Sequence, residues 1–433
     1  MRVARLGIAA ALAGAALVFP AGPAQAEVSG SDCQPARPEG DYAEPIEDTT
    51  QTGDLGQRLR LAEAHRIATG TGIGVAVLDT GLDPALLPGA SRAERITTRG
   101  PIGLPGTKSK LYDSHGTLTA SLVSGTLPAS GDSAAQPIGV APGAHVVPIR
   151  VADGGADIVA AFEDDDLTPV TAGNVAAGIS EALRLRKREN IKVISISLSI
   201  TEPDRSLARA VRRAQRAGVL VVASAGNRSS GDSEQEKARN AFRAGEDKVP
   251  YPARLDGVLA VTAADRDGSV PTAAVTTGPA VSVSAPGSGL IVLGPQGRTC
   301  ALAEVATSWA VPQVAGLAAL LFDAFSEQRI TAAQVRTRIE ATARGGYGNQ
   351  ALDGNGMIQP LAALRADLDV ARDGTLRAPA VVREPAEELS APEPEDDLLA
   401  GARHSMRWWG IGAGGALVLA LLVRPLLVRR PRP

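Results

Sequence analysis

Five short apolar runs punctuate the middle of the chain, at 73–78, 146–151, 193–200, 219–224 and 258–263. Each is rich in β-branched residues and bounded by turn formers, which predicts strands. Because they are apolar at successive positions rather than alternate ones, both faces are expected to be covered, as in a parallel sheet. Between them, 175–186 and 206–217 carry helical periodicity, and 118–125 is a small-residue helical segment. The segment 309–324 is apolar on most sides and predicts a central helix. Alternating strands and helices give an α/β three-layer sandwich with a mainly parallel central sheet.

The ends of the chain follow different patterns. Residues 1–26 place Arg2 and Arg5 before an apolar stretch that closes on Ala24-Gln25-Ala26, the layout of a cleavable signal peptide. An uncleaved N-terminal membrane helix is the second reading. Near the other end, 408–423 holds no charge and runs into Arg424, Arg429 and Arg430. A helix over 407–428 is long enough to span a bilayer if Arg424 snorkels, and Trp408 and Trp409 suit an interfacial belt. The basic tail 429–433 is then expected to be cytoplasmic, with everything before the helix outside. A buried helix of a soluble core is the alternative. Residues 373–406, with Glu384-Pro385 and Pro392-Glu393-Pro394-Glu395, cannot bury enough surface to order themselves and read as an extended linker. The remaining divisions are an N-terminal extension, 27–54, and one catalytic-size domain, 55–372.

Composition changes this picture little. The formal net charge is −3, and neither a basic patch nor an aromatic stacking motif supports a nucleic-acid partner. The two cysteines, Cys33 and Cys300, are enough for one bridge in an oxidising compartment, tying the extension to the segment before Ser308; two free thiols remain the alternative. Glu163-Asp164-Asp165-Asp166 reads as a solvated loop rather than a cation site, so no metal or other cofactor is expected.

Four segments carry candidate chemistry. Asp79 ends a strand before Thr80-Gly81, and an acid there lies at the carboxyl edge of the sheet, where open α/β folds place their sites. His115, followed by Gly116-Thr117, opens a helical segment; His65 and His404 have no comparable setting, and His145 falls in an apolar strand. Ser308 heads the central helix, where the dipole and its own N–H favour a developing anion. Asn227 follows Ala225-Gly226 at the end of another strand and could donate its amide to the same anion. Taken singly, Asp79 and Asn227 are turn residues, His115 is structural and Ser308 is an N-cap.

Together, Asp79-Thr80-Gly81, His115-Gly116-Thr117, Ala225-Gly226-Asn227 and Thr307-Ser308 with Pro312 resemble the four blocks of the subtilisin-like proteases, in the Asp, His, Ser order of that family. The resemblance covers about residues 60–345. It implies an Asp79-His115-Ser308 triad, an oxyanion donor at Asn227, and a cleft lined by Ser197, Leu198 and Ser199 that pairs with a bound peptide as an added strand. Two positions depart from the pattern. Ala306 and Ser199 stand where the family usually has Gly, and a positive φ at Ala306 would be strained.

The order of signal peptide, Cys-bearing extension, protease domain, Pro-rich linker and membrane helix is most similar to the mycosins, anchored proteases associated with type VII secretion. That similarity implies an exported serine endopeptidase with protein substrates and secretion machinery as a partner. The alternative is a structural component of a secretion complex whose protease site is weak or dispensable. A serine esterase is a third possibility, but the sequence around Ser308 lacks the Gly-x-Ser-x-Gly elbow such enzymes use.

Overall fold

In the computed structural model, the residues described are 55–82, 102–103, 111–127, 136–154, 167–228, 249–294, 299–302, 304–344, 351–377 and 400–427. The segments expected to be a signal peptide, an N-terminal extension with Cys33, and a basic tail lie outside them, as do the acidic run 163–166 and most of the expected linker.

The described residues begin with two short helices, α1 (Leu55–Arg58) and α2 (Leu61–Ala64), before strand β1 (Gly74–Asp79). Then come β2 (Ile102–Gly103), α3 (His115–Ser124), the β3 (Thr126–Leu127) and β4 (Gln136–Pro137) pair, and β5 (His145–Arg150). The next stretch alternates α4 (Ala172–Leu185), β6 (Ile191–Ile196), α5 (Arg205–Arg216), β7 (Leu220–Ser224), β8 (Leu259–Ala264) and β9 (Val283–Pro286). A hairpin, β10 (Leu290–Leu293) with β11 (Thr299–Leu302), leads to the long helix α6 (Thr307–Ala324), followed by α7 (Ala332–Thr342) and α8 (Pro360–Arg365).

Among the described residues the main sheet has seven strands in the order β2-β5-β1-β6-β7-β8-β9, and every pairing in it is parallel. Side chains alternate across it. Val75, Val77 and Val193 enter the core beneath α3 and α6, whereas Ala76, Leu78 and Ile194 enter the core beneath α4 and α5. That two-sided burial is why the strands read as continuous apolar runs. Helix α6 is buried almost all round, from Ala310 to Leu321, which accounts for its lack of a polar face.

The strand expected at 193–200 ends earlier. Pairing in β6 stops at Ile196, and Ser197 to Ser199 leave the sheet before Ile200 makes an antiparallel bridge to Tyr251. The carboxyl ends of β1, β6 and β7 consequently open toward the N-terminus of α6. Strand β9, the β10–β11 hairpin, α7 and α8 are additions to the elements expected from the pattern.

The stretch 378–433 separates from the preceding residues as its own unit. Within it, α9 (Ala400–Leu427) begins earlier than the helix expected at 407–428. Ser405–Leu422 forms an apolar stretch with mean hydropathy 1.2, and it is exposed throughout. This is the one helix among the described residues long and apolar enough to cross a membrane.

Candidate active site

Strand β1 delivers Asp79 to the sheet edge with 1 % of its surface exposed. Its Oδ1 accepts the Thr80 N–H at 2.8 Å and faces His115 Nδ1 at 2.7 Å. Its Oδ2 lies 3.4 Å from the Thr119 hydroxyl, whose single hydrogen has a nearer acceptor in the Gly116 carbonyl at 3.1 Å. A buried carboxylate is costly unless hydrogen-bonded, and the Thr80 N–H and the His115 ring supply most of the compensation.

His115 is fixed by the start of α3. Its backbone N–H donates to Asp113 Oδ1 at 2.8 Å, satisfying one orphan donor of the helix. The Thr80 hydroxyl donates to the Asp113 carbonyl and accepts the Gly116 N–H, at 3.1 and 3.0 Å. The two motifs therefore touch through backbone. A Cβ on Gly116 would lie 2.2 Å from the Gly81 carbonyl oxygen, so this approach requires glycine.

With Nδ1–H directed at Asp79, a neutral His115 presents Nε2 as an acceptor. Burial opposes the charged ring, but the Asp79 charge and hydrogen bond, with the Asp113 charge behind them, outweigh it and push the His115 pKa up to about 9. The ring also lies 5.2 Å, centroid to centroid, from that of Trp309, tilted by 39°.

Ser308 occupies the second residue of α6. The N-cap is Ala306, so the isolated N-cap interpretation of Ser308 is corrected. The reason is tertiary: Asn227 Oδ1 accepts both the Thr307 N–H and the Thr307 hydroxyl, each at 2.8 Å, so the cap comes from the end of β7. This leaves the Asn227 amide nitrogen as that side chain's donor end. Since the Thr307 hydrogen is used on Asn227, the Ser224 hydroxyl donates to Thr307 Oγ1 at 2.7 Å, and it accepts the Gly226 N–H at 3.1 Å. Gly226 has φ +96, a conformation suited to glycine.

Ala306 has φ −143 and ψ 142, ordinary extended backbone, so its Cβ introduces no strain. Ser199 is likewise absent from the positive-φ residues, and its hydroxyl lies 3.5 Å from that of Ser224.

Ser197 and Ser308 exchange hydrogen bonds. Ser308 Oγ donates to the Ser197 carbonyl at 3.3 Å, and Ser197 Oγ donates to the Ser308 carbonyl at 3.1 Å. Pro312 explains the second bond. In a helix the Ser308 carbonyl would accept from the N–H four residues on, and proline has none. Asp79 and His115 are thus joined directly, while Ser308 is held by Ser197 and makes no hydrogen bond to His115. Leu198 is 8 % exposed beside them. Of the other histidines, His65 Nε2 meets the Val140 carbonyl and His145 Nε2 the Glu189 carbonyl, both away from this cluster. Cys300 is buried in β11.

Thr80, Asp113, Thr119, Ser224 and Thr307 complete the site through contacts that local sequence does not reveal. Two of them, Thr80 and Thr307, lie inside the recognised motifs, which was the available signal.

Residues 70–356, more than half of the chain, match the Subtilase family. The chain belongs to the subtilase family. Mycosin-1 of Mycobacterium tuberculosis is similar to this subtilase, 31 % identical over 398 residues that cover 86 % of the chain and 84 % of the relative. The crystal structure of MycP1 from Mycobacterium smegmatis superposes with a TM-score of 0.57 at 26 % identity, covering 82 % of this chain and 92 % of that one. A further structure is of the serine protease MycP1 described as an essential component of the type VII (ESX-1) secretion system. It gives a TM-score of 0.55 at 28 % identity, with 79 % and 94 % covered.

Proposed function

We propose that this subtilase is an exported, membrane-anchored serine endopeptidase in which Asp79, His115 and Ser308 form the triad. The observation that carries the reading is the 2.7 Å contact of a buried carboxylate with His115 Nδ1, beside a serine in the first turn of a buried helix. Asp79 holds the imidazole in the tautomer whose Nε2 accepts the Ser308 proton as Oγ attacks a peptide carbonyl. The Asn227 amide and the Ser308 N–H, which has no acceptor within its helix, stabilise the oxyanion. His115 then gives the proton to the leaving amine, and a water attacks the acyl-enzyme by the same route in reverse. Ser197, Leu198 and Ser199, having left the sheet, offer backbone to a polypeptide substrate as an added strand.

Similarity to Mycosin-1 across most of both chains supports a mycosin-like role with type VII secretion machinery as a partner. Helix α9 supports a single-pass anchor at the cell membrane, with the catalytic domain outside and the tail cytoplasmic. We assign 1–26 to a signal peptide, 27–54 to an extension, 55–372 to the protease domain and 373–406 to a linker. We also propose a bridge between Cys33 and Cys300, tying the extension to the domain, because an exported chain matures in an oxidising compartment.

The test is hydrolysis of an unfolded protein by the full-length enzyme. Cleavage by wild type but not by Ser308→Ala is expected, and equal cleavage by both would overturn the assignment. One observation favours a scaffold role instead: the Ser308 hydroxyl rests on the Ser197 carbonyl rather than on His115. That reading predicts that Ser308→Ala retains secretion in cells.

A further inference from the structure

The Trp309 ring sits beside the His115 ring on the side chain immediately following Ser308, half-buried and 5.2 Å away. An aromatic face within about 6 Å of a cation attracts it through the ring quadrupole. In the proposed reaction His115 is neutral before attack and becomes a full cation when the proton leaves Ser308 Oγ. A neighbour that favours only the cation therefore acts on the transition state more than on the ground state.

We infer that Trp309 is a positioning residue that holds the His115 ring against Asp79 and stabilises the imidazolium formed during acylation. This deepens the serine-hydrolase reading and rests on it. The groups facing His115 are Asp79 from the end of β1, Asp113 from the turn before α3, and Trp309 from α6. Of these, the two acids also favour the cation. Trp309 is the uncharged contributor, so its effect can be separated by substitution without altering net charge.

Two effects of opposite sign follow from removing it. In the full-length enzyme, Trp309→Leu should lower kcat about threefold to tenfold at alkaline pH with KM little changed. It should also move the acid limb of kcat/KM to lower pH by about half a unit, an effect of about threefold on the ionisation. Trp309→Phe, which keeps an aromatic face, should restore most of both. A packing defect alone would lower activity without that shift. An unmoved pH limb in Trp309→Leu, a Phe variant as impaired as Leu, or a loss expressed in KM would each overturn the inference.

A second measurement does not need turnover. In full-length Ser308→Ala, the emission of Trp309 is obtained as the difference between the protein with and without Trp309→Phe, because Trp408 and Trp409 are also present. Imidazolium quenches indole, so this difference should fall as His115 is protonated, and the transition should vanish with His115→Gln. A flat titration would sink the Trp309 inference even if the enzyme cleaves protein. A quenching transition in an inactive wild type would instead fault the hydrolase reading and leave the ring pair intact.

Discussion

Ser197 and Ser308 are cross-linked by two hydrogen bonds, each hydroxyl donating to the other residue's carbonyl. The Ser308 carbonyl depends on this donor because Pro312 withholds the N–H that would otherwise reach it. Ser197→Ala should therefore cost about 1–3 kcal/mol, the cost of an unpaired buried acceptor. Adding Pro312→Ala to that variant restores a helical donor and should recover most of the loss. A double-mutant cycle by denaturant unfolding checks the coupling; additive effects would contradict it.

The pH dependence follows from His115. Only the neutral imidazole can accept the Ser308 proton, so kcat/KM should rise with pH along a limb near the His115 value of about 9. Asp79→Asn removes the charge and hydrogen bond that raise it, shifts the limb downward, and should reduce kcat by about 10⁴-fold through the wrong tautomer. The same ionisation affects stability. The folded pKa exceeds the unfolded value near 6.5, so the contribution is complete below about 6.5 and is lost as pH rises through about 9. Unfolding measured across that window in wild type and Asp79→Asn should reveal it as a difference in slope.

Asn227 serves two purposes that one substitution can separate. Asn227→Asp retains an oxygen for the Thr307 N–H and hydroxyl but removes the amide donor. Melting temperature should stay near wild type while kcat falls by about 100-fold or more. A matched loss of stability and activity would mean that Asn227 acts only as the cap of α6.

At the far end of α6, Asp323 Oδ2 accepts the backbone N–H groups of Thr69, Gly70 and Thr71, at 3.1, 2.9 and 3.0 Å. Asp323→Ala should destabilise the fold by about 1.5–3 kcal/mol, the range for a hydrogen-bonded charge, with kcat unchanged in the folded fraction. Chemical denaturation monitored by circular dichroism measures it.

Strands β1, β5, β6, β7 and β8 were legible because a parallel sheet covered on both faces leaves uninterrupted apolar runs, and α6 because it is buried all round. Motif spacing then identified Asp79, His115, Asn227 and Ser308 as candidates. What escaped was non-local. The cap of α6 comes from Asn227, 80 residues earlier, so Ser308 looked like its own N-cap. Ser197 ends the pairing of β6 because its groups are committed to α6, which no pattern within 193–200 reveals. Helix α7 is a different case: Thr331 and Gln334 form a capping box whose signature is local and was present in the sequence.

The central claim is that Ser308 is an activated nucleophile. Full-length protein in detergent should be treated with a fluorophosphonate, alongside Ser308→Ala and His115→Ala, and the modified residue located by mass spectrometry. The account predicts labelling of wild type at Ser308 and none in either variant. Folded wild type that remains unlabelled, or labelling that survives His115→Ala, would contradict it.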